Sequence, residues 1–183
     1  MSGWKACLLP DAFLCSKQHF CSAFGAIYEH SRWVAESVWP KVCAAELATY
    51  GAVAEAMAAI VAAASEQIKL NLLCEHPELA GRAALAGELT AASNREQRSA
   101  GLGNCTPDEL ARIQSLNADY RRKFGFPFII AVTGLSRGDI LAAMHERLAN
   151  SREREMAEAL RQVDRIAEIR LAALVGRSQE CTQ

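Results

Sequence analysis

Three groups of residues have the types and spacing to act on a small polar molecule. His76 stands directly before Pro77 in the run His76-Pro77-Glu78-Leu79. A proline clashes with a helical predecessor, so His76 is expected extended at a helix boundary, its ring projecting from a rigid support. If Pro77 opens a short helix running to about Leu85, the positive end of that helix disfavours the imidazolium. The ring then stays neutral and able to accept a proton. The same four residues are equally those of a histidine that merely caps a helix. The second group is Ser93, Glu96 and Gln97, at i, i+3 and i+4, which share one face if the segment is helical. A hydroxyl, a carboxylate and an amide on one face suit a substrate rich in N–H and C=O groups, but Ser-x-x-Glu is also the capping-box pattern. The third is Arg170, flanked by Ile166, Ile169, Leu171 and Leu174. At a core edge its guanidinium could grip a carboxylate in bidentate fashion; on a solvated face it would simply be ion-paired.

The elements that must position these groups read as helices. Alanine is abundant, β-branched residues are sparse, and the longer segments repeat apolar residues at helical spacing. The pattern predicts a helix from Pro10 to about Phe24, then a short element from Ser31 through Trp39 that Pro40 stops. A long helix follows from about Ala44 to Ser65, continuing through Leu73, and another covers Thr90 to about Ala100. Thr106-Pro107-Asp108-Glu109 is a helix start with an N-cap, a first-position proline and an acid three residues on; that helix runs to about Phe124 and ends at Gly125. Ser136 caps a helix from Arg137 to about Ala149, and the last runs from Arg152 to about Leu174. The stretch 126–132 resembles a strand but has no partner, so it reads as a buried extended connector. The expectation is an all-α, single-domain multi-helix bundle over residues 10–176, with an N-terminal extension at 1–9 and a tail at 177–183.

Composition excludes several classes of function. The chain has 183 residues, 51% of them hydrophobic, and 20 Lys plus Arg against 21 Asp plus Glu give a net charge of −1. So even a balance offers no global attraction to nucleic acid or to an anionic membrane surface. The longest apolar stretch, 56–64, is too short to span a bilayer. The region around Lys5 lacks the sustained apolar run of an export signal, and Glu180-Cys181-Thr182-Gln183 is not a peroxisomal tripeptide, so a cytoplasmic location is expected. The seven cysteines form no CxxC pair and are odd in number, which fits free thiols better than a disulfide framework. Cys15, His19 and Cys21 are the one cluster that invites a metal, and a zinc site would need a fourth ligand that the spacing does not supply.

Taken together, these segments resemble the family of 2-oxo-4-hydroxy-4-carboxy-5-ureidoimidazoline (OHCU) decarboxylases. The resemblance runs through Phe24-Gly25-Ala26-Ile27-Tyr28-Glu29-His30-Ser31, Trp33-Val34-Ala35-Glu36, His76-Pro77-Glu78-Leu79-Ala80-Gly81, and Ser93 with Glu96-Gln97. It continues with Ala100-Gly101-Leu102, Leu116-Asn117, Tyr120, the run from Lys123 to Ile129, and Arg170-Leu171. Arg32 departs from it, standing where the family commonly has proline.

The resemblance implies an all-helical enzyme without metal or organic cofactor that forms (S)-allantoin in urate breakdown, downstream of urate oxidase and hydroxyisourate hydrolase. It implies His76 as the acid/base and Glu96 as the carboxylate that polarises the substrate. Pro77, Ser93, Gln97, Arg170 and main-chain groups around Phe128, Ile129 and Ile130 become substrate contacts, and a homodimer is expected. Two other readings stay open: a helical binding module descended from the family, and a decarboxylase of another small ureido acid.

Overall fold

A computed structural model of the chain describes residues 3–81, 84 and 86–180, with the backbone alone for 177–180. Its regular structure is helical. The helices are α1 (Asp11–Leu14), α2 (Lys17–Phe24), α3 (Trp33–Cys43), α4 (Tyr50–Ala63), α5 (Glu66–Cys74), α6 (Ala91–Ser99), α7 (Pro107–Phe124), α8 (Arg137–Arg147) and α9 (Arg152–Glu180). Among the described residues the β-type pairing is one isolated bridge between Leu8 and Thr49. The all-α expectation holds, and 126–132 is a connector with no strand partner.

Helix ends fall where a side chain takes over an orphaned backbone group. Thr106 accepts the Glu109 N–H and the Glu109 carboxylate accepts the Thr106 N–H, while Gly125, at φ 85°, closes α7 in the left-handed conformation. Ser136 and Asp139 build the same box at α8. The last helix, α9, continues to Glu180, past the expected end near Leu174 and into the expected tail, and four other boundaries differ from the expectation. Ser16 accepts the His19 N–H and starts α2 afresh, so Pro10 to Phe24 is two helices. Pro40 lies inside α3, which continues to Cys43; this late in the helix the proline removes one hydrogen bond, and buried Val38 and Val42 on either side hold the turn together. Thr49 caps α4, so Ala44 lies outside it. Finally, Ala64 is extended and Ser65 accepts the Ile68 N–H, so α4 and α5 meet at a bend of 117°. Among the described residues no single helix is long and apolar enough to cross a membrane.

The chain divides into two compact units. One holds the residues up to Leu72 and those from Asp164 onward. Phe20 and Phe24 stack at 4.5 Å in its core and Phe24 meets the Tyr50 ring at 5.9 Å. The N-terminal residues pack on α4 here: a Cβ on Gly51 would meet the Lys5 carbonyl oxygen at 2.7 Å. The second unit, Leu73–Val163, is built on α7. Ile113, Leu116, Tyr120 and Phe124 form its buried stripe, and Phe126 and Phe128 pack their rings against Tyr120. Burying each such ring contributes about 2–3 kcal/mol.

Candidate active site

The segment carrying His76 follows α5 without entering a new helix. The His76 N–H closes on the Leu73 carbonyl at 3.2 Å, behind it in the chain. Residues 77–81 then form a turn, with the Gly81 N–H on the Glu78 carbonyl at 3.3 Å and Ala80 in the left-handed region at φ 48°. The expected helix from Glu78 to about Leu85 is thus absent at 78–81, while Ala84 and Ala86 are helical and residues 82, 83 and 85 lie outside the described residues. No helix starts at Pro77, so the dipole argument for a neutral His76 ring loses its basis, because that field fades within one turn. A left-handed alanine costs about 1 kcal/mol, so something outside the turn must hold it.

Two amide side chains do so. Gln97 of α6 accepts the Ala80 N–H at 3.0 Å through Oε1, and its Nε2 reaches the Glu78 carbonyl at 3.4 Å. Asn117 of α7 donates from Nδ2 to the Leu79 carbonyl at 2.9 Å. His76, Leu79, Ala80, Gln97 and Asn117 are all buried. The turn is therefore bonded at consecutive residues to two helices, one of which carries the other predicted polar group.

On α6, Ser93 is not the helix cap. Thr90 is the N-cap and accepts the Ser93 N–H at 3.2 Å. Ser93 lies inside the first turn, buried to 4% exposure, with Gln97 one turn on at 6% and Glu96 half-buried beside them. Gln97 differs from a simple substrate ligand, since its Oε1 is engaged by the turn.

The connector is held as firmly. Arg147 of α8 donates from Nη1 to the Ile129 carbonyl at 2.8 Å and from Nε to Glu155 at 2.8 Å, and its guanidinium lies 4.5 Å from the Phe128 ring centroid. Glu155, fully buried, also accepts the Tyr120 hydroxyl and the Asn150 amide. Burial, with the Glu155 hydrogen bond adding to it, pushes the Tyr120 phenol well above its ordinary range. Gln162 of α9 accepts the Ala131 N–H at 3.0 Å. Phe128 and Ile129 are buried, and Ile130 is half-buried on the wall of a separate cleft that also contains Arg147 and Gln162.

His76, Glu78, Gly81, Gln114, Asn117 and Arg121 line a cleft of about 800 Å³ in the second unit. Pro77 is half-buried. Arg170 lies in the first unit, where Nη1 pairs with Glu29 at 2.7 Å. The N-terminal cluster does not converge among the described residues. Cys15 points its thiol at the Asp11 carbonyl, His19 bonds Ser16, and Cys21 is buried.

Arg147, Glu155 and Gln162 were not singled out from the sequence, and Asn117 entered only among the residues that carry the family resemblance, with no role. Asn117 had a legible signal, as a polar residue in the apolar stripe Ile113, Leu116, Tyr120 and Phe124 of α7. The Asn117 Oδ1 is buried and has no hydrogen-bond partner among the described residues. Its orientation is fixed, because the Leu79 carbonyl can take only a donor. An orphaned acceptor costs about 1–3 kcal/mol, against about 1 kcal/mol gained by the Nδ2 bond, so this amide does little for net stability.

Comparison with known proteins bears on this arrangement. The family model described as OHCU decarboxylase matches residues 14–172. The chain is 42% identical over 166 residues to the 2-oxo-4-hydroxy-4-carboxy-5-ureidoimidazoline decarboxylase of Halalkalicoccus jeotgali, covering 91% of this chain and 90% of that one. It is 36% identical to the uric acid degradation bifunctional protein PucL of Bacillus subtilis, covering 89% of this chain and 32% of that protein. Among solved structures, an (S)-allantoin synthase superposes with a TM-score of 0.72 at 36% identity, over 90% of this chain and 52% of that one. This chain thus spans about half the length of that synthase. An OHCU decarboxylase crystallised with (S)-allantoin, at 24% identity and a TM-score of 0.60, shares the fold over 71% of this chain and 84% of that one. With the match to its model extending over most of the sequence, the chain belongs to the OHCU decarboxylase family.

Proposed function

We propose that this protein decarboxylates 2-oxo-4-hydroxy-4-carboxy-5-ureidoimidazoline to (S)-allantoin, with no cofactor, in urate catabolism. The observation that carries the reading is the Gln97–Ala80 hydrogen bond. It ties the segment bearing His76 to the helix face bearing Ser93 and Glu96, the residues that the family resemblance assigns to catalysis and binding.

The substrate supplies its own electron sink. Its carboxylate sits on a ring carbon next to a C=N bond, so the electrons of the breaking C–C bond can form a C=C bond as the imine nitrogen takes up charge and a proton. The protein has three tasks: to hold the carboxylate out of the ring plane, to steady the developing charge, and to deliver a proton to one face. His76 takes the proton of the 4-hydroxyl as carbon dioxide leaves. The enol-like intermediate then becomes a carbonyl as His76, or a group it orders, returns that proton to the neighbouring carbon, solvent supplying the one taken up by the ring nitrogen; one-sided delivery sets the (S) configuration. Glu96 holds the hydroxyl and ring N–H groups. Ser93, Gln97, Pro77 and the main chain at Phe128, Ile129 and Ile130 complete the contacts, and Arg170 binds an anionic oxygen of the substrate. The protein works in the cytoplasm as a homodimer, supplied by urate oxidase and hydroxyisourate hydrolase.

The test is to generate the unstable substrate in place from urate with those two enzymes and to follow circular dichroism. A fast, protein-dependent (S)-allantoin signal is expected, lost in a folded His76→Ala variant. Decay at the spontaneous rate to racemic product would overturn the reading.

A further inference from the structure

We propose that Asn117, which the family resemblance gives no role, is a positioning residue for His76 in the reaction proposed above. The inference rests on that reading. Among the described residues the turn after His76 has one main-chain bond of its own, the Gly81 N–H to the Glu78 carbonyl at 3.3 Å, and its left-handed Ala80 needs further support. Its main chain is bonded to side chains at Glu78, Leu79 and Ala80, and the Leu79 bond comes from Asn117 at 2.9 Å. Asn117 is 3% exposed and stands in the middle of α7, which is fixed at its start by the Thr106 capping box and beyond Asn117 by the Tyr120–Phe124–Phe126 ring cluster. It also lines the cleft that His76 lines.

Stability does not account for an asparagine here. Its buried Oδ1 has no hydrogen-bond partner among the described residues; leucine has nearly the same shape and removes that penalty while orphaning the Leu79 carbonyl at a similar cost, so the exchange is close to neutral. What leucine lacks is the donor that fixes the Leu79 carbonyl, and with it the direction in which the chain leaves His76. A proton-transfer group must be placed to a fraction of an ångström.

Asn117→Leu and Asn117→Asp separate this from a packing role. Asn117→Leu is expected to leave the melting temperature within about 3 °C of the parent while kcat falls about 10–100-fold, with KM little changed and the enantiomeric purity of the allantoin reduced. Asn117→Asp turns the donor into a titrating group. Its protonated acid can donate to the Leu79 carbonyl, whereas its carboxylate repels that oxygen. Its kcat relative to the parent should therefore rise as the pH is lowered. An Asn117→Leu variant of unchanged melting temperature and kcat within two-fold of the parent would overturn the inference. So would an Asn117→Asp ratio that is flat across pH, which decides the matter if the leucine variant does not fold. A parent protein without turnover would overturn the functional reading and this inference together; an active parent with normal variants would sink the inference alone.

Discussion

Arg170 and Glu29 form a buried ion pair, Nη1 to Oε2 at 2.7 Å, with side chains 8% and 2% exposed. The same Nη1 faces the Ile27 carbonyl at 3.3 Å and the Ala26 carbonyl at 3.4 Å. The guanidinium is thus anchored at one end, which leaves its plane oriented by the first unit itself. An isolated buried charge is costly, so removing one partner does more harm than removing both.

Arg170→Met should destabilise the protein by about 3–5 kcal/mol, because Glu29 is left charged in a desolvated position. Denaturant titration reads this directly, and Arg170→Met with Glu29→Gln should recover most of the loss. The double variant then separates folding from binding. Stable but inactive protein supports a substrate contact at Arg170, while stable and active protein restricts it to the ion pair.

Gln97 distinguishes a clamp from a ligand in the same way. Gln97→Ala removes the acceptor of the Ala80 N–H and should accelerate hydrogen exchange at Ala80 by at least about ten-fold, one such bond contributing about 1.4 kcal/mol or more in a buried site. Gln97→Glu keeps the acceptor for the Ala80 N–H and, as the protonated acid at low pH, a donor for the Glu78 carbonyl, so exchange compared at low pH should stay close to the parent. If turnover follows exchange across the two variants, holding the turn is the main task of Gln97. If both lose turnover equally, its amide is needed by the substrate.

The connector predicts a coupling between remote positions. Glu155 holds Arg147, and Arg147 holds the Ile129 carbonyl. Glu155→Gln weakens the charge pairing and leaves a buried guanidinium, so a loss of about 3 kcal/mol or more in stability is expected. Below its lowered melting temperature, the folded variant should also show a raised KM, since the main chain at Phe128–Ile130 is no longer held at Ile129. An unchanged KM would detach this connector from substrate binding.

Asp164 supplies a pH test. It accepts the Tyr28 hydroxyl at 2.7 Å, and burial pushes its carboxyl above the usual range, the Tyr28 bond opposing the shift and the Glu168 charge adding to it. For an acid raised in the folded state, the stability it contributes is full below the unfolded value and is lost as pH rises through the folded one. Asp164→Asn keeps an acceptor for Tyr28 and removes the ionisation. The melting temperature should rise at about pH 8, with the gain vanishing at about pH 3, below the ordinary carboxyl range. A loss at the higher pH, or a gain that does not depend on pH, contradicts the assignment.

Much of the fold was legible because its signals are local. Thr106 with Glu109, Ser136 with Asp139, and Gly125 set helix ends through bonds spanning three or four residues, and such bonds leave fixed spacings in the sequence. The residue types on the Ser93, Glu96 and Gln97 face were readable for the same reason. Local patterns also misled where two were superposed: the alanine-rich run through Ala64 hides the break that extended Ala64 and the Ser65 cap impose.

What the amino-acid sequence determined by itself was the helical class, most helix limits and the polar groups available for chemistry. The tertiary structure decided how the His76 segment is held. Gln97 reaches Ala80 across 17 residues, Asn117 reaches Leu79 across 38, and Arg147 reaches Ile129 across 18. The Gln97 and Asn117 bonds hold 78–81 as a turn in place of the helix start that Pro77 and Glu78 suggest, because a turn whose buried carbonyls and N–H groups find partners on packed helices is favoured over a marginal helix end. No spacing along the chain records them, since they exist only once α6, α7 and α8 have packed.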